Sequence, residues 1–136
     1  MIVITEPTIS RLLAEARGGL DRLTPADAYA AQQDGALLVD IRREDQRERF
    51  GAPPGSFPID LTILEWRLDP TSPWRSTLAA PGIRPVVFCQ EGFSSSLAAA
   101  RLQALGLVGA TDVEGGFAAW AEAGLPVAET LPERIF

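Results

Sequence analysis

The chain has 136 residues, 46% of them hydrophobic and 22% charged, with a net charge of −6 and no histidine. That length suits one domain with a substantial core and leaves no room for two ordinary ones. The acidic balance argues against nucleic acid or an anionic membrane as partner, and the lack of histidine rules out Ser-His and Cys-His catalysis and disfavours zinc or iron sites.

The opening residues Met1 to Glu6 have no basic region and no long apolar core, so neither a signal peptide nor a membrane span is expected, and the cytoplasm is the expected location. From Thr8 to Arg17, the residues Ile9, Leu12, Leu13 and Ala16 fall on one helical face, and Gly18-Gly19 stops the helix. An amphipathic helix packed on the domain is the expectation. Pairing with a second copy or docking a partner enzyme are the other uses open to residues 1–22.

Thr24 and Pro25 have the chemistry of an N-cap and first helical residue. They open a second helix that runs to about Gln33, and Asp34-Gly35 turns the chain. Ala36 to Ile41 is a continuous apolar run of strand length, as expected for a strand buried on both faces of a parallel sheet. Arg43 to Arg49 predicts a short helix. Its arginines are interleaved with Glu44, Asp45 and Glu48, which reads as a solvated face rather than an anion-binding patch.

Residues 50–56 hold two glycines and two prolines and predict a turn-rich loop. A short strand is expected at Phe57 to Ile59. A helix over Thr62 to Leu68 follows, then pieces broken by Pro70, Pro73 and Pro81, with a helical turn or two near Trp74 to Leu78. Trp66 and Trp74 are read as packing anchors.

Val86 to Phe88 predicts a buried strand that delivers Cys89, the only cysteine, to the mouth of a loop. The loop, Gln90-Glu91-Gly92-Phe93-Ser94, runs into a helix over Ser95 to Leu105 closed by Gly106. The first amides of that helix lack intrahelical partners, and the dipole adds positive charge there, which pushes a nearby thiol toward the reactive thiolate. A single cysteine also allows no internal disulfide, so nothing points to an oxidising compartment. Ala110 to Val113 predicts a last strand, Gly115 to Gly124 a last helix, and the remainder to Phe136 an extended tail. Strands alternate with helices, so the fold class is α/β with a mainly parallel sheet.

Three pieces in this order resemble the single-domain rhodanese (sulfurtransferase) family. The first is Leu38-Val39-Asp40-Ile41-Arg42 with the turn Gly51-Ala52-Pro53-Pro54-Gly55-Ser56, similar to an Asp-x-Arg strand end and a Gly-His-Ile-Pro-Gly-Ala turn. The second is Cys89 to Ser95, similar to Cys-x-x-Gly-x-Arg-Ser. The third is Glu114-Gly115-Gly116-Phe117 through Trp120, with Ala123-Gly124-Leu125-Pro126-Val127. The resemblance spans residues 23–128, leaving 1–22 as a helical extension and 129–136 as a tail. It implies a doubly wound, mainly parallel sheet of five strands with helices on both faces, and a site at the carboxyl end of the Cys89 strand.

The implied chemistry is transfer of a sulfane sulfur from a small-molecule donor (thiosulfate, a persulfide or a mercapto-acid) to a thiol or cyanide acceptor, through a persulfide on Cys89. Cys89 is the nucleophile, and Gln90, Glu91, Gly92, Phe93, Ser94 and Ser95 form the binding loop. Its amides are expected to curl round the anionic sulfur without any metal or cofactor. Gly92 supplies the positive φ such a loop needs. Phe93 either lines the mouth or packs inward. Asp40 and Arg42 are expected to tie loops beneath the site, and Gly115, Gly116 and Trp120 to pack.

Two departures bear on substrate. Ser94 stands where the family loop has Arg, and Glu91 adds a negative charge, so thiosulfate is expected to be a poor donor. Ala52 replaces the turn histidine. A phosphatase of related type needs Arg as the sixth residue after the cysteine, where this chain has Ser95. A thioredoxin-like enzyme needs a second cysteine. The alternative from another class is a rhodanese-like module that binds or senses sulfide without turning over.

Overall fold

A computed structural model of the chain describes residues 8–129. The expectations for the first residues and for the extended tail beyond Glu129 lie outside that range. The described elements alternate as the sequence predicts: α1 (Ile9–Gly18), α2 (Pro25–Gln33), β1 (Leu37–Asp40), α3 (Glu44–Phe50), β2 (Phe57–Pro58), a 3-10 turn (Leu61–Ile63), α4 (Leu64–Leu68), β3 (Pro85–Phe88), α5 (Ser94–Leu105), β4 (Thr111–Asp112) and α6 (Gly116–Glu122).

The strands form one parallel sheet in the order β2-β1-β3-β4, with Val39 opposite Val87 and Val87 opposite Asp112. Among the described residues the sheet has four strands where five were expected. The fifth row is a single parallel bridge between Leu23 and Val113. It stops there because Thr24 already caps α2, its side chain accepting from the Asp27 amide at 3.1 Å, and Pro25 has no amide hydrogen to extend a ladder.

Helices cover both faces, and strand alternation assigns each side chain to one of them. Leu38, Val86 and Phe88 join Ala28 of α2 and Phe117 and Trp120 of α6. Val39, Ile41, Val87 and Cys89 point the other way, onto Ala98, Ala99 and Leu102 of α5 and onto Leu64 and Leu68 of α4. Each such buried Leu or Val removes enough apolar surface from water to contribute about 1.5–3 kcal/mol. Cys89 continues the Val87 face, so the sheet's own periodicity turns the thiol toward α5.

Three expectations are corrected. Trp66 and Trp74 are not anchors, being 54% and 60% exposed. Residues 74–78 form turns without a helix. The hydroxyls of Ser72 and Ser76 accept from the amides of Trp74 and Leu78 at 3.0 and 3.2 Å, local bonds that compete with helical ones. On α1 the apolar stripe is split: Leu13 and Ala16 are half-buried while Ile9 and Leu12 are exposed. The helix packs against α5 as expected, and Arg17 adds a polar grip on the loop before α5, described below.

Candidate active site

Every residue of β3 is buried, so the chain emerges from the sheet already fixed in position at Cys89. Gly92, at φ +87°, then turns the loop back on itself, and its amide donates to Cys89 Sγ at 3.2 Å. A side chain at 92 would also collide with the chain crossing behind it: a Cβ there would sit 2.7 Å from the Gly115 nitrogen. Burial pushes the Cys89 thiol up. The hydroxyls of Ser95 and Ser94 and the amides of Ser95 and Gly92 outweigh that and hold it below its ordinary value.

The loop's carbonyls face the other way. Cys89 O accepts from the Phe117 amide and Gln90 O from the Ala118 amide, both at 2.9 Å, so the start of α6 holds the loop from behind. This contact requires Gly116. A Cβ at that position would lie 2.5 Å from Cys89 O and 2.8 Å from the Gly92 nitrogen. Reading Gly115 and Gly116 as packing residues understated them, for Gly116 sets how closely the loop is backed. A glycine pair shortly after a predicted strand was the available signal.

Two buried ion pairs support the loop. Arg42 binds Asp40 through Nε and Nη2 at 3.0 and 2.8 Å, with both side chains fully buried. Nη2 also donates to Gly51 O at 2.7 Å and Nη1 to Gln90 Oε1 at 3.0 Å, which is the tying role the sequence suggested. Arg42 also lies 4.2 Å from the centre of the Phe117 ring. The second pair was not foreseen: Arg22 Nε and Nη2 reach both oxygens of buried Asp112 at 2.9 and 3.2 Å. Asp112 Oδ2 also accepts from Ser95 Oγ at 2.8 Å and Ser96 Oγ at 2.7 Å.

Cys89 keeps 8% of its surface exposed, at the floor of a cavity of about 660 Å³. Of the predicted loop, Gln90, Glu91, Phe93 and Ser94 line that cavity. Gly92 and Ser95 are buried beneath it and act on the sulfur from below. Phe93 is 59% exposed and lines the mouth; it is not packed inward. The sequence missed the opposite wall, formed by Ile41, Arg43, Gln46, Asp60, Leu61 and Thr62. Asp60 is held ionised below the usual carboxylate range by the Thr62 hydroxyl and amide. A larger cavity, of about 810 Å³, opens between the 52–59 turn and residues 75–78. It holds no thiol and lies away from the loop.

Among the described residues no helix is long and apolar enough to cross a membrane. Several known proteins are similar to this chain. A thiosulfate sulfurtransferase, GlpE, of Haemophilus influenzae is 31% identical over 109 residues, which is 79% of this chain and 94% of that protein. A Rhodopseudomonas palustris structure, described as a protein of unknown function and possible tyrosine phosphatase, superposes with a TM-score of 0.83 at 37% identity, covering 94% of this chain and 99% of that one. The polysulfide-sulfur transferase homodimer of Wolinella succinogenes gives a TM-score of 0.64 at 26% identity over 88% of this chain and 85% of that one. The family model of the rhodanese-like domain matches residues 24–123, and the chain therefore belongs to the rhodanese-like family.

Proposed function

We propose that the protein is a sulfurtransferase that carries a sulfane sulfur as a persulfide on Cys89. The observation behind this reading is the sulfur itself: the only cysteine sits at the floor of an open cavity and accepts a main-chain amide. In the first half-reaction the Cys89 thiolate attacks the outer sulfur of the donor. A new S–S bond forms, the donor's own bond to that sulfur breaks, and the leaving group departs with the electron pair. In the second, a thiol or cyanide attacks the terminal sulfur, the persulfide S–S bond breaks, and the Cys89 thiolate returns. No outside oxidant or reductant is needed.

The amides stabilise anionic sulfur in both halves. Ser95 has one hydroxyl proton and two acceptors, Asp112 and the sulfur. Ser96 and Arg22 also serve Asp112, so Ser95 can turn to the sulfur when it is charged without leaving a buried carboxylate bare.

A less charged donor, such as an organic persulfide or a mercapto-acid, is favoured over thiosulfate. The two arginines that line the cavity are already paired, Arg42 with Asp40 in the buried layer and Arg43 with Asp45 at the surface, while Glu91 adds negative charge. A dianion meets no spare cation there. The tyrosine-phosphatase description of one structural relative does not transfer, because the sixth residue after the cysteine is Ser95, a buried hydroxyl and not a guanidinium. The absence of Arg at position 94 favours one other reading, a sulfide-binding module without turnover. Intact-protein mass spectrometry after exposure to a sulfane donor separates the two. One added sulfur on Cys89, removed by thiol or cyanide, supports the enzyme; no adduct with any of several donors supports the module.

A further inference from the structure

The family match begins at residue 24, yet two side chains from before it reach the reactive loop. Arg17, in the last turn of α1, donates from Nη2 to Gly92 O at 2.8 Å and from Nε to Ser96 Oγ at 3.0 Å. Arg22 donates to the same Gly92 oxygen at 3.1 Å while gripping Asp112. Two guanidinium groups thus converge on one carbonyl, immediately beside the amide that donates to Cys89 Sγ.

We infer that residues before the rhodanese-like domain complete its active loop, with Arg17 as a positioning residue that holds the Gly92 peptide and supplies the positive charge absent from position 94. The inference rests on the sulfurtransferase reading for its purpose, but not for its test.

The geometry distinguishes the two arginines. Arg22 is neutralised by Asp112. Arg17 has only neutral acceptors and makes no ion pair among the described residues. Its guanidinium lies 5.8 Å from the centre of the Phe93 ring, so it also anchors the next loop residue. Gly92 O accepts from both cations, and pinning it fixes the Gly92–Phe93 peptide beside the residue whose positive φ turns the loop. Neither arginine lines the cavity. The charge of Arg17 therefore reaches the Cys89 thiolate through the loop without offering a donor dianion a direct contact. A loop without its own arginine thus gains a cation behind it while the mouth of the cavity gains none.

The test is the pH dependence of Cys89 alkylation by iodoacetamide in the intact chain, alongside urea denaturation, for the parent, Arg17→Met and Arg17→Lys. Arg17→Met keeps most of the apolar stem while removing charge and donors. Its alkylation midpoint is expected to rise by about 0.5–1 pH unit, slowing the reaction near neutrality about 3–10-fold. Arg17→Lys, which keeps the charge but cannot bridge Gly92 O and Ser96 Oγ as a fork, is expected to recover part of the shift. A midpoint unchanged in both variants overturns the inference, whatever happens to stability, because a merely structural arginine would alter only the urea transition. If the parent forms no persulfide with any donor, the functional reading fails while the alkylation result still decides the role of Arg17.

Discussion

Replacing Gly116 with alanine probes the contact that shapes the loop. Two costs add. At φ +62° an L residue is strained, by roughly 1–2 kcal/mol. The new Cβ would also meet Cys89 O at 2.5 Å, the Gly92 nitrogen at 2.8 Å and Gln90 C at 2.9 Å. Ordinary contacts to carbon are about 3.5 Å or more, so the loop must retreat by roughly 0.5–1 Å. Forcing a methyl into such a space costs about 1–3 kcal/mol.

Gly124→Ala is the control. Gly124 has φ +76° with nothing within 4 Å of its would-be Cβ, so it carries the dihedral cost alone. Gly116→Ala should therefore lose about 1–3 kcal/mol more than Gly124→Ala in urea denaturation. The displaced atoms include the Gly92 nitrogen, whose amide serves Cys89 Sγ. A hydrogen bond to a charged group contributes about 1.5–3 kcal/mol, so its loss raises the alkylation midpoint of Cys89 by roughly one to two pH units. Gly124→Ala should leave that midpoint unchanged. Equal urea midpoints for the two variants, or an unshifted thiol in Gly116→Ala, would refute the argument.

Other expectations follow from the same site. Because the Cys89 thiol is lowered, its thiolate forms as pH rises through a midpoint below that of an unperturbed cysteine, and acidification below that midpoint suppresses alkylation; a midpoint at or above that of the unfolded chain contradicts the cradle. Cys89→Ser should abolish the sulfur adduct seen by mass spectrometry, and a surviving adduct would move the chemistry elsewhere. Ser94→Arg places a cation at the cavity mouth and should raise kcat/KM for thiosulfate by about 10–100-fold, since a charge-assisted contact contributes about 1.5–3 kcal/mol. No gain would mean that charge at position 94 does not limit that donor. Asp40→Ala strands the fully buried Arg42 and should cost about 3–5 kcal/mol in chemical denaturation, as breaking one side of a buried pair does; a loss under about 1 kcal/mol would show that Gly51 O and Gln90 Oε1 suffice.

Local signals carried much of the fold. Thr24-Pro25 marked the start of α2 because a cap and a proline act within one turn, and the Ala36 to Ile41 run marked β1 because full burial leaves no alternation to read. The stretch from Asp60 to Ile83 resisted for the same reason in reverse. Its prolines and serines satisfy the backbone locally, and nothing in the order of residues says whether Trp66 and Trp74 find a partner. They do not pack into the core. Gly116 was visible as a glycine, but its duty toward Cys89 depends on a chain crossing from a different element.

What the residues alone determined was the α/β class, the strand that ends at Cys89, the loop Gln90 to Ser95 as its setting, and membership in a known family. These are properties of short, contiguous pieces, where one or two neighbours set the backbone. Only the tertiary structure decided that α1 belongs to the loop. Arg17 and Gly92 stand 75 positions apart, and Arg22 and Asp112 stand 90 apart. A hydrogen bond depends on distance and angle in space, and the sequence holds neither until the sheet brings the two ends together.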